Sequence, residues 1–298
     1  MTTDRTPPPP PTGAARWHTH HLTLHPDRVV KRFRPAEGPG PHARERRALT
    51  LLATHAPGLA PVLRDPRDGG GPAADAPLTL VMSRLPGVPL RQLVLGDREL
   101  SAWAAAVRAV HTALPPAVPA RLPLRPGHRH ETVRRLRAWY ARTPDRRLAP
   151  AVRRALRAGR DWLDAAAPGA PDAPPGLPPN VPPVFGAGDG NSANYLWDGH
   201  RVRVVDLEES GRSDRAYELA ELVEHVSAWV PRPFDTAAFL RRFPLTPAEA
   251  ARLRDCRVLL ALVWLALLAD DDPARPRNPP GTAERQARRF LRRLDGAE

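Results

Sequence analysis

Residues Val184 to Glu209, VFGAGDGNSANYLWDGHRVRVVDLEE, decide how the rest of the chain is read. They read as a loop followed by a hairpin. Tyr195–Leu196–Trp197 is a short strand, and Asp198–Gly199 is a turn signal because both residues tolerate positive φ. Arg201 to Val205 alternates polar and apolar, with Val202 and Val204 on one face, as a half-buried strand does. With Gly199–His200 as the two-residue loop, Asn194 falls opposite Val205, and Asp206 comes next. The other plausible registers keep Asn194 and Asp206 near the same end of the ribbon. Three oxygen-bearing side chains, Asp189, Asn194 and Asp206, therefore converge.

Phosphoryl transfer from a nucleotide needs such a set. Mg²⁺ takes oxygen ligands, usually a carboxylate and a carbonyl besides phosphate and water. A further carboxylate must orient the attacking hydroxyl and accept its proton. The expectation is Asp189 as the base, with Asn194 and Asp206 as metal ligands. Asp and Asn are common in turns, so D-x4-N alone fits a hairpin with solvated acids. The full string is more specific. The run Gly186-Ala187-Gly188-Asp189-Gly190 would suit a dinucleotide loop only if a helix followed, and a hairpin pattern follows instead.

The stretch resembles the aminoglycoside phosphotransferase and choline kinase superfamily, which is protein-kinase-like. That family carries H-G-D-x-x-x-x-N, a hairpin, then D-[FW]-E. The matching residues are Ala187-Gly188-Asp189 with Asn194, and Asp206-Leu207-Glu208. Gly211-Arg212-Ser213-Asp214-Arg215-Ala216-Tyr217-Glu218-Leu219-Ala220 resembles the family's following G-x-x-D-x-A-Y-D-L-A. The resemblance implies that Asp214 supports the catalytic loop from a helix start. Ala187 stands where the family has His, and Leu207 where it has an aromatic.

The same resemblance gives Lys31 a role. Lys31 is the only lysine in a chain that otherwise uses Arg for positive charge. Chance is one explanation. The other is that Val29-Val30-Lys31 matches the strand lysine that holds the α- and β-phosphates, where a compact ammonium suits better than a planar fork. Glu45, in the first turns of a helical pattern over His42 to His55, would be its partner carboxylate. An exposed acid favouring a helix N-terminus is the plainer alternative. Val81 to Leu90 resembles the family's hinge, so Met82, Ser83 and Arg84 are expected at the adenine edge. Between Trp17 and Asp27 no glycine supplies a phosphate-covering loop. His18, His20, His21 and His25 lie there, and their alternating pattern argues against a metal site.

Composition sets the frame. The chain has 298 residues, 42% apolar content and a single cysteine, Cys256, read as core. No signal peptide is apparent, and the longest apolar run, Val258 to Ala269, is too short for a bilayer. A cytoplasmic location without a membrane partner is the expectation. The net charge of +13 raises nucleic acid as a partner, but the arginines fall on helix faces without interleaved aromatics, which argues against it.

Strands are expected over 17–24, 28–33, 61–64 and 78–84. Helices are expected over 97–114, begun by an Asp cap, and over 132–142, 149–166, 214–229, 234–242, 246–268 and 283–294. The domain plan is a Pro-rich tail over 1–14, a nucleotide-binding lobe over 15–85, and a catalytic and substrate lobe over 86–298. The fold class is α+β, a two-lobed protein-kinase-like fold with a small antiparallel sheet and a larger helical part.

The expected activity is transfer of the γ-phosphate of ATP or GTP, with Mg²⁺, to a hydroxyl of a small molecule. The candidate acids for an acceptor cleft are Glu208, Glu209, Glu221, Glu224 and Asp270 to Asp272. The overall charge disfavours a polycationic acceptor such as an aminoglycoside. The competing class is a kinase-like binding module with little or no turnover, suggested by Ala187, Leu207 and the absent glycine loop.

Overall fold

The computed structural model describes residues 20–65, 78–142, 148–166, 177, 181–272 and 275–296. The tail over 1–14, the start of the first expected strand, the Gly69–Gly71 loop and most of the Pro-rich connector lie outside these.

The first three strands, β1 (His21–Leu24), β2 (Arg28–Arg32) and β3 (Thr79–Ser83), form one antiparallel sheet in that order. Lys31 pairs with Leu22 on one side and Leu80 on the other. Residues 61–64 do not make the expected strand. They run along the free edge of β3 with one bridge, Leu63 to Met82, made by the bonds Arg64 N to Val81 O and Ser83 N to Val62 O. Helix α1 (Gly40–His55) packs behind the sheet and buries Ala48, Leu49 and Leu52.

The rest of the chain is mainly helical but carries two small sheets. β4 (Val88–Pro89) pairs with β6 (Tyr195–Trp197), which pairs with β7 (Val202–Val204). β5 (Val184–Gly186) pairs with β8 (Gly211–Ser213), a pairing absent from the sequence reading. The hairpin register is the one expected: Tyr195 faces Val204, and Val205 N donates to Asn194 O at 2.9 Å.

Helices α2 (Asp97–Thr112), α3 (Ala117–Arg121), α4 (Arg129–Arg142) and α5 (Pro150–Ala166) precede the catalytic stretch. Gly96, not Asp97, caps α2, because Glu99 reaches back to the Gly96 amide at 2.9 Å. After it come α6 (Arg215–Glu224), α7 (Thr236–Leu240), α8 (Pro247–Ala269) and α9 (Thr282–Leu294). The helix expected over 214–229 ends at Glu224 and gives way to a short 3-10 turn. Thr246 and Glu249 close a capping box around Pro247, which fixes the start of α8.

One apolar core runs from Phe33, Leu49, Leu80 and Met82 into the helical part. Trp103 on α2 is its hub. Its ring is fully buried and lies about 5 Å from the rings of Tyr195, Phe234 and Phe239. Cys256 is buried in α8. No helix among the described residues is long and apolar enough to cross a membrane.

Candidate active site

The sequence assigned Lys31 and Glu45 to each other, and they meet. Lys31 is 4% exposed and Glu45 1%, so the exposed-acid alternative for Glu45 does not hold. Lys31 Nζ donates to Glu45 Oε2 at 2.6 Å, to Glu208 Oε2 at 2.6 Å and to Asp206 Oδ1. Burial works against the ammonium, but the charges of Asp206, Glu45 and Glu208 outweigh it and raise its pKa. Burial also pushes the Glu45 carboxyl up, with Lys31 pulling it back. Burial and the Asp206 charge push Glu208 up to about 8. Burial leads both carboxyl shifts, and one ammonium shared among three carboxylates only partly offsets it.

Asp206 sits at φ +62, in the left-handed region that costs a non-glycine residue roughly 1–2 kcal/mol. Such strain clusters at functional sites. Its side chain is 39% exposed, and Oδ2 is not the oxygen that Lys31 holds. The α1 residue Arg44 reinforces the following turn by donating to the Glu208 carbonyl at 2.5 Å and to Glu209 at 3.3 Å. His20 Nε2 lies 2.8 Å from Glu208 Oε2. Its Nδ1 accepts the Arg34 amide, so the neutral ring carries its proton on Nε2.

Asp189 is oriented through both oxygens. Oδ1 accepts the Asn191 amide at 2.9 Å, and Oδ2 accepts Asn194 Nδ2 at 2.8 Å. Its side chain keeps 36% exposure. Burial of the carboxyl moves its pKa up to about 6, against the pull of the Asn191 amide. His225 Nε2 lies 3.8 Å from Oδ1. Burial lowers the His225 pKa to about 3, so the ring is neutral, and its Nδ1 accepts the Ser227 amide at 3.0 Å. Ser227 Oγ accepts the Ser192 amide at 3.0 Å, tying the ring to the loop. Gly188 has φ +87, and a Cβ there would meet the Glu209 carbonyl at 2.0 Å, so only glycine fits.

Two expectations shift. The amides of Ser83 and Arg84 are taken by Val62 O and Asp27 O, while Met82 is buried in the core. In this arrangement neither amide is open to a base. Asp214 caps α6 through the Tyr217 amide and takes Arg252 in a fork at 3.0 and 2.6 Å. It faces α8 and not the catalytic loop. The alternative cap, Ser213, plays no such part. Leu207 is fully buried and Ala187 nearly so, so both serve as packing. The sequence reading gave no role to His20, Arg44, Arg125 or His225, none of which belongs to a motif.

The donor set fits Mg²⁺. Glu45, Asp206 and Glu208 place oxygens within 4.8 Å of one another. Asn194 donates its amide nitrogen to Asp189. The set is three carboxylates, in excess of the one lysine, oxygen donors of the kind a hard dication takes.

Comparison with known proteins agrees. No curated protein sequence matches the chain. Among solved structures it resembles a choline/ethanolamine kinase family protein from Mesorhizobium loti, at TM-score 0.59 and 18% identity, covering 94% of this chain and 86% of that one. A choline kinase from Streptococcus pneumoniae gives TM-score 0.53 at 14% identity, covering 93% and 90%. A spectinomycin phosphotransferase in complex with ADP and spectinomycin gives 0.53 at 11%, covering 92% and 88%. At these identities the likeness establishes the fold, a two-lobed kinase-like α+β fold. The sequence itself matches the profile of the Phosphotransferase enzyme family over residues 13–256, and the chain belongs to that family.

Proposed function

We propose that the protein transfers the γ-phosphate of ATP or GTP to a hydroxyl of a small molecule, in the cytoplasm where these nucleotides reside. The observation that carries this reading is the fixed direction of Asp189. Asn191 and Asn194 hold its two oxygens on the side of the hairpin where Asp206 begins. The carboxylate is thereby aimed before any substrate arrives, which is what a base for an incoming hydroxyl needs. Lys31, fixed by Glu45, would hold the α- and β-phosphates. Asn194 and Asp206 would hold Mg²⁺, which when bound supplies charge neutralisation for the phosphates. The adenine or guanine edge would meet the backbone beyond Arg84.

The acceptor follows from charge. Acids near Asp189 are already matched: Glu209 with Arg44, and Glu221 with Arg125. Glu224 is fully buried among Arg257, Arg289 and Arg293, and Asp271 pairs with Arg277. A polycation would have to displace arginines from these acids. A neutral or singly charged alcohol is therefore the favoured acceptor, and an aminoglycoside is disfavoured.

Wild-type protein should show nucleotide-dependent thermal stabilisation that grows with Mg²⁺, and phosphate transfer to at least one member of a panel of small alcohols. Stabilisation without hydrolysis or transfer across that panel would favour a binding module. Drug resistance conferred on a sensitive host and lost in Asp189→Asn would overturn the choice of acceptor.

A further inference from the structure

Ala187 gives the loop that carries Asp189 no polar side chain with which to brace itself from within. A brace arrives from outside the motif. Arg125, in the link between α3 and α4, is 3% exposed. Its Nη2 donates to the Gly188 carbonyl at 2.5 Å, and its Nε to the Pro126 carbonyl at 3.1 Å. Its Nη1 donates to Glu218 Oε1 at 3.1 Å and to Glu221. Glu218 Oε2 accepts the Gly188 amide at 3.2 Å. Both peptide planes that meet at Gly188 are thus held, one by Arg125 and one by its partner Glu218. Gly188 is the residue with most freedom to swing Asp189, and this pair removes that freedom.

Arg125 is itself fixed. Its amide donates to Arg212 O at 3.1 Å, and the guanidinium lies over the Tyr217 ring at 5.4 Å.

Building on the reading of Asp189 as the base, we propose that Arg125 is a positioning residue for phosphoryl transfer, fixing the Gly188 peptide and so the direction of the Asp189 carboxylate. All three guanidinium nitrogens are in use, each toward a different neighbour. Lysine keeps the charge but has one nitrogen, so it cannot reproduce the fork. A base displaced by about 1 Å can lose on the order of a hundredfold in rate.

The test uses Arg125→Lys and Arg125→Ala in the full chain. In Arg125→Lys, kcat should fall about tenfold to a hundredfold while nucleotide affinity by calorimetry stays within about twofold, since Arg125 touches the loop and not the phosphates. Backbone hydrogen exchange over residues 186–190 should quicken without substrate, and exchange in α8 should not. In Arg125→Ala, millimolar guanidinium should restore part of kcat, with no effect on wild type or Asp189→Asn. Truncation to alanine leaves buried acids unmatched and endangers folding, so Arg125→Lys decides if Arg125→Ala does not fold. Near-wild-type kcat with unchanged exchange in Arg125→Lys would overturn the proposal. If wild type itself transfers no phosphate, the functional reading fails, and quickened exchange at 186–190 still separates a real brace from none.

Discussion

The two charged clusters of the cleft are built on different plans. Around Lys31, one cation faces Glu45, Asp206 and Glu208, and the acids outnumber it. Around Arg125, one guanidinium faces two acids and also donates to two peptide carbonyls, those of Pro126 and Gly188. The Lys31 cluster holds two acids in excess of its lysine, an excess that a dication would offset under the proposed function. The Arg125 cluster holds only one acid in excess, and its guanidinium also ties down two peptide carbonyls. Ligand is expected to reorganise the first and leave the second in place, so a kinase-like site can pair an adaptable phosphate end with a rigid base end.

Four substitutions sharpen or break that contrast. Asp189→Asn should have the largest effect, a loss of about a hundredfold or more in kcat with nucleotide affinity nearly unchanged, the usual scale for removing a positioned base. Single-turnover transfer decides it, and near-normal turnover would remove Asp189 from the role. Asp206→Ala should act at the other end, abolishing the Mg²⁺-dependent gain in nucleotide affinity seen by calorimetry. Affinity that still rises with Mg²⁺ would place the metal elsewhere. Lys31→Arg should weaken nucleotide binding despite retained charge, because a larger planar guanidinium has to enter a buried space now filled by a compact ammonium. Wild-type affinity in that variant would make the sole lysine accidental. Glu209→Gln should do least. Its 3.3 Å pair with Arg44 is partly exposed, and such pairs contribute under about 1 kcal/mol, so a melting temperature displaced by many degrees would contradict this view of the rim.

The sequence announced the features that depend on local spacing. Asp198–Gly199 and the alternation after it set the hairpin register, and the register alone brought Asn194 beside Asp206. Lys31 stood out by composition, and Thr246-Pro247 by cap chemistry. What stayed hidden depends on contacts between distant segments. Arg125 lies far along the chain from both Gly188 and Glu218, and nothing in its neighbours distinguishes it from the other arginines. His20 was noticed only as part of a histidine-rich strand, and burial against Glu208 gives it its place. β5 and β8 are three residues each, too short to show a period. Residues 61–64 had a strand's composition, but they follow the sheet edge with a single bridge.

The uninterrupted core has a thermodynamic consequence. Because Phe33, Leu49 and Met82 pack into the same apolar mass as Trp103 and Leu259, the two ends of the cleft share one cooperative unit. Heat should then melt them in a single transition, with calorimetric and van't Hoff enthalpies in agreement. A nucleotide touching only the Lys31 end would raise the melting point of α8 as much as that of β2, because a ligand that binds only the native state stabilises the whole of it.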